Sequence, residues 1–280
     1  MRAMEELNPK NNPEDYWDFL SYMEVAAIDK NHTHLKPWDS LAKDCMAFSI
    51  QVPFLKGKEK SRYSLKIAAT FLKRSMSDFR GVWLMLNWGY PYQAACVAAS
   101  LYENSLIVNC ISDRDDLAKI VATSKNGDIP WGAKKLSSMS AEKDIYGKIT
   151  GLKRKEKDFE RVHNLCYRNY KWLCKIKHPT MQQISDEINH AMLENGTFSV
   201  VPLPDSREDS ISLKQMVLII AISRLFSAAK SFATAINCEE GDELDIKLYE
   251  LATRIHKELK ENINSSEIDK LPIHVYDFKI

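Results

Sequence analysis

Glycine and proline are scarce in this chain, nine and ten in 280 residues. That scarcity argues against a fold of many strands and tight turns, which draw on both residues. The six cysteines (Cys45, Cys96, Cys110, Cys166, Cys174 and Cys238) include no C-x-x-C pair. Such spacing suggests neither a disulfide framework nor a zinc knuckle, so reduced thiols in a cytoplasm are the expectation. Charge of one sign is missing too, because the formal net charge is +1. Any attraction to nucleic acid must therefore come from a local patch. The stretch MRAMEELNPKNNPEDYW is polar and lacks a signal-peptide core. G-x-x-x-x-G-K-[ST], the Rossmann glycines, G-x-S-x-G and H-E-x-x-H do not occur. Their absence argues against the familiar ATPases, dehydrogenases, serine hydrolases and zincins.

What is present is helical periodicity. Pro13, Glu14 and Asp15 open a helix to about residue 30. The polar run KNHTHLKP predicts a break, and Pro37 starts a second helix through about 51. Leu65, Ala69, Leu72, Met76, Phe79, Trp83 and Leu86 recur three and four apart, the mark of an amphipathic helix over 62–87. Gly89-Tyr90-Pro91 separates it from an apolar helix over 94–111, AACVAASLYENSLIVNCI. Residues 125–140 read as a loop with a short helical piece. A charged helix over 141–177 follows, with Gly147 and Gly151 in its early part. It ends at His178-Pro179, since a residue before Pro resists helical geometry. A helix to about 194, an extended segment at 197–201, a second apolar helix over 213–236 and a final helix over 243–262 complete the pattern.

The expected fold is all-α, a multi-helix bundle around two central apolar helices, with at most a short β-hairpin near 197–204. The expected organisation is an N-terminal helical hairpin over 1–58, a main bundle over 59–262 and a tail over 263–280. The run 94–111 reaches the lower length limit for a membrane span, but Ser100, Glu103, Asn104, Ser105 and Asn109 argue against that role.

Glu103 stands out as a carboxylate amid apolar residues on every helical face, so burial is expected. A buried carboxylate needs a partner or loses its charge. One reading makes it chemical, positioning a cation, a metal or a substrate amine. The other pairs it structurally with Arg80, Arg224 or Lys230.

Arg80 near Trp83 and Leu84, a Gly-Tyr turn and an apolar helix with S-L-Y-E resemble an uncharacterised family of bacterial helical proteins. Tyr170, Leu173, His178 and Pro179 in YKWLCKIKHP match a further element of that family. The similar stretch runs from about Ser61 to Asn237. These proteins in turn look distantly like HEPN proteins, the helical nucleases and nucleotide-binding modules of toxin and phage-defence systems. The resemblance implies RNA or a nucleotide as ligand and a partner protein of the same system. One departure matters: HEPN ribonucleases place Arg close before His, whereas here Arg168 precedes His178 by ten positions and Lys171 by seven.

His178 would then do acid/base work, with Arg168, Lys171 and Lys175 on phosphate and Tyr170 for stacking. Glu103 with Arg80 or Arg224 would organise the site. The competing reading of His178 is a capping residue on a solvated basic helix end. Glu160–His163 and Glu187–His190 are E-x-x-H pairs, which di-iron bundles use, but the ligand set is incomplete. His32-Thr33-His34 reads as a surface turn and 148–157 as a solvated basic face. No metal or cofactor is expected. A non-enzymatic helical interaction module remains the alternative, and a homodimer is compatible with either reading.

Overall fold

The computed structural model describes residues 15–125, 128–149, 156–178, 188, 202–238 and 241–265. These form an all-α bundle. Its elements are α1 (Asp15–Gln51), α2 (Tyr63–Asn87), α3 (Pro91–Ile111), α4 (Asp115–Ala122), α5 (Ala133–Tyr146), α6 (Lys157–Lys177), α7 (Ile211–Ile236) and α8 (Glu243–Ser265). The one β-type pairing among the described residues is an isolated bridge between Gly57 and Cys238.

The two apolar helices are α3 and α7, and they pack on each other at the centre. Both are long and apolar enough to cross a membrane by composition. However, 78% of the apolar window in each is buried inside the protein, as in core helices. Such burial is compatible with a soluble protein. Around this pair, α2 and α6 cover α3, α1 covers α7, and α8 lies on α1.

The turn from α2 to α3 follows from Gly89. It holds φ at +85°, and a Cβ there would lie 2.7 Å from the backbone nitrogen of Asp205. Asp205 N–H donates to the Gly89 carbonyl at 2.7 Å. Pro91 then starts α3 at a position where a missing N–H is harmless.

The expected break at KNHTHLKP does not occur, and α1 runs unbroken with Pro37 inside it. Burial explains this. Asn31, Leu35, Trp38, Leu41, Ala42 and Cys45 form one buried stripe that crosses the proline. Tertiary packing there outweighs the hydrogen bond that proline removes. A second correction concerns 125–177. Instead of one helix from 141, α5 starts at Ala133 and ends where Gly147 turns left-handed at φ +67°. The expected extended segment at 197–201 and the helix before it lie outside the described residues.

Candidate functional site

Helix α6 is built for its ends. Asp158 and Glu160 sit in the first turn and Lys175 and Lys177 in the last, each matching the helix dipole. Phe159, Cys166, Asn169 and Leu173 face inward. The outward face is a single line: Lys157, Arg161, Asn164, Arg168, Lys171, Lys175 and His178 alternate four and three apart, and all are exposed. Helical geometry makes this a straight ridge of about 30 Å. The helix carries six cations against two acids.

A ladder of rings runs beside the ridge. Phe159 and His163 stack at 5.9 Å, His163 and Tyr167 at 6.2 Å, and Tyr167 and Tyr170 at 6.5 Å, with interplanar angles of 9°, 5° and 22°. The Lys171 ammonium lies 5.8 Å from the centre of the Tyr167 ring. Phe159 is buried and the other three rings are half-buried. The Nε2 atom of His163 is buried and has no hydrogen-bond partner among the described residues.

Glu103 meets this ladder from α3. The Tyr170 hydroxyl donates to Glu103 Oε1 in a short hydrogen bond. Burial pushes the Tyr170 phenol up, and donation to Glu103 adds to that, so it stays a donor. The Tyr170 ring also packs at 5.9 Å on Tyr102.

The expected burial of Glu103 is overturned, for its side chain is exposed. Gln93, Cys96, Val97, Ser100 and Glu103 form a stripe of full or partial exposure on α3, whereas every residue from Asn104 to Ile111 is buried. Small side chains along that stripe hid it from the hydrophobic pattern. Glu103 makes no ion pair among the described residues. Arg80 is exposed and unpaired with it, while Asp78, two residues earlier, accepts from Ser100 at 3.0 Å and Asn104 at 3.1 Å.

Arg224 is buried at 3% exposure beneath a different residue. Its guanidinium carbon lies 5.0 Å from the Tyr102 ring centre, and Nη1 lies 3.6 Å from Cys166 Sγ. The Tyr102 hydroxyl donates to the Cys166 carbonyl at 2.7 Å. Burial raises the Tyr102 phenol well above its ordinary range, and the Arg224 charge works against that. Arg224 therefore organises the core under the ladder rather than Glu103.

His178 caps α6 in an extended conformation and is exposed. It lies eight residues beyond Tyr170, roughly 12 Å along the helix axis. Glu103 and His178 thus do not meet as an acid and a base. Arg168, Lys171 and Lys175 do come together, on one line, with Tyr170 next to them. Arg161, Lys157, His163 and Tyr167 complete the surface; the sequence offered Lys157 only as the end of a solvated basic face and His163 only in an E-x-x-H pair. Their three-and-four spacing was the signal that could have found them. Of the two E-x-x-H pairs, Glu160 is exposed while His163 stacks in the ladder, and Glu187–His190 falls outside the described residues. Among the described residues no three His, Cys, Asp or Glu side chains gather as a metal site.

A groove of about 560 Å³ lies at the start of α8, lined by Phe54, Lys56, Asp242, Leu244 and Lys247. Asp242 there accepts from the backbone N–H groups of Lys56 and Leu244, so its carboxylate serves the turn. Comparison with protein-family models, curated proteins and solved structures returns no match.

Proposed function

We propose that this protein binds RNA along the outward face of α6. The observation that carries the reading is the single line of exposed cations from Lys157 to Lys175, ended by His178. Phosphates follow one another along a strand, and a straight cationic ridge offers them successive partners. The rings beside the ridge are largely turned toward each other and into the protein. Contacts to the backbone therefore dominate, and binding is strongly salt-dependent with little sequence preference. The HEPN resemblance favours the same ligand class and a place in a bacterial defence or toxin-type system in the cytoplasm. The gap between Glu103 and His178 favours binding without cleavage.

The test is fluorescence anisotropy of a labelled single-stranded RNA at several salt concentrations. Wild type should lose affinity steeply with salt. Arg168→Ala, Lys171→Ala and Lys175→Ala combined should flatten the logarithmic slope by about 2, at roughly 0.7 per lost phosphate contact. A slope unchanged in that variant removes the reading. Incubation of the same RNA with EDTA reports on cleavage. Cutting that requires His178 would replace binding with a metal-independent ribonuclease.

A further inference from the structure

The flank of the basic ridge carries an acid, Glu103, and that acid has a spare oxygen. Glu103 lies across from Tyr170, whose ring stacks at 6.5 Å on Tyr167, and the Lys171 ammonium lies 5.8 Å from the centre of that Tyr167 ring. Its Oε1 accepts the Tyr170 hydroxyl, and no protein group among the described residues engages Oε2. Tyr170 is itself held between Tyr102 and Tyr167, at 5.9 Å and 6.5 Å. The carboxylate is therefore fixed in direction on the flank of the ridge, one ring away from Lys171, and pairs with no cation among the described residues. A bare carboxylate there repels a phosphate and accepts a hydrogen bond from a donor on the strand.

The backbone of DNA offers only acceptors: phosphate oxygens and ring oxygens. The backbone of RNA adds one donor per nucleotide, the 2′-hydroxyl. We infer that Glu103 makes the α6 ridge select RNA over DNA, by accepting from a ribose 2′-hydroxyl at Oε2 and repelling a backbone that has no donor to give. The inference rests on the α6 reading above. It adds that Glu103 sets specificity, where the ridge cations set affinity.

The experiment measures anisotropy with three single strands of one sequence: RNA, DNA and RNA methylated at every 2′-oxygen. The full chain is compared with Glu103→Gln, and thermal melts confirm that this exposed substitution leaves the fold intact. Wild type should prefer RNA over both other strands by about tenfold, the size of one charge-assisted hydrogen bond. Glu103→Gln should bring the three affinities together, mainly by tightening DNA and the methylated strand. Equal wild-type affinities that still require Arg168, Lys171 and Lys175 would overturn the inference and leave the α6 reading standing. An RNA preference that survives in Glu103→Gln would also overturn it. Failure of all three strands to bind would remove the α6 reading itself.

Discussion

The Lys214 ammonium donates to Asn31 Oδ1 at 2.8 Å, and both side chains are completely buried. Asn31 in turn donates to the carbonyls of Asn87 at 3.2 Å and Asp205 at 3.1 Å. Three separate parts of the chain are joined through one amide: α1, the end of α2 and the approach to α7. The Asp205 carboxylate is occupied by Arg207 at 2.8 Å and Ser210 at 3.0 Å, so the lysine has no direct anionic partner. Burial pulls Lys214 down to about 8 from an ordinary 10.5, against the attraction of Asp205.

A pH dependence follows from that lysine. In the unfolded chain it keeps its proton up to about 10.5, and in the folded chain it gives it up near 8. Between these values the unfolded state binds more protons, so stability rises with pH across the window. Below about 8 the full penalty is present, on the order of 3 kcal/mol. The buried cysteines, held above their ordinary 9.0, pull stability the other way as pH rises, so the contribution of Lys214 is read as a difference: between pH 7 and 10 wild type should gain stability relative to Lys214→Met in urea unfolding. Parallel pH profiles of the two proteins would contradict it.

Removing the acceptor has the opposite effect from removing the charge. Asn31→Ala leaves a buried ammonium with no partner and should cost about 3–5 kcal/mol. Lys214→Met replaces that charge with an apolar chain of similar volume and should be neutral or stabilising. Denaturant midpoints of the two variants check the contrast.

Gly89→Ala should be among the more damaging single-methyl changes in the molecule. It places a Cβ 2.7 Å from Asp205 N at a φ of +85°. Neither the strand of backbone at Asp205 nor the turn can yield cheaply, because each holds the other by the 2.7 Å hydrogen bond. A loss of about 2–4 kcal/mol is expected, by steric clash and left-handed strain together. A melting temperature within a degree or two of wild type would contradict this.

Pro37→Ala should stabilise the protein. Proline inside a helix costs about 3 kcal/mol relative to alanine. Here the stripe from Asn31 to Cys45 is buried on both sides of Pro37, so alanine keeps that packing. A gain of about 1–2 kcal/mol by denaturant unfolding is expected, smaller than the full helix cost because proline also restrains the unfolded chain.

The pattern of apolar residues made α3 and α7 legible before any coordinates, because helices apolar on nearly every face belong at the centre of a bundle. It failed at Pro37, where local backbone preference lost to burial of Leu35 and Trp38. It failed at Glu103 for a different reason. Cys, Val and Ser count as compatible with a core, yet on α3 Cys96, Val97 and Ser100 line the stripe that meets solvent. On α6 the charged residues were visible one by one, and their three-and-four spacing puts them on one line in any helix that spans 157–177. Lys214 carried no signal, since a lone lysine near a helix start is usually exposed.

The central claim is that the α6 ridge binds RNA, and the most direct measurement separates the ridge from charge in general. RNA affinity is compared between the Arg168→Ala, Lys171→Ala, Lys175→Ala variant and a control with Lys66→Ala, Lys73→Ala and Lys119→Ala. The control residues are equally exposed and lie on α2 and α4. Both variants lose three positive charges. The account predicts a loss of at least about tenfold in the ridge variant and little change in the control. Equal losses in the two, or none in either, would contradict it.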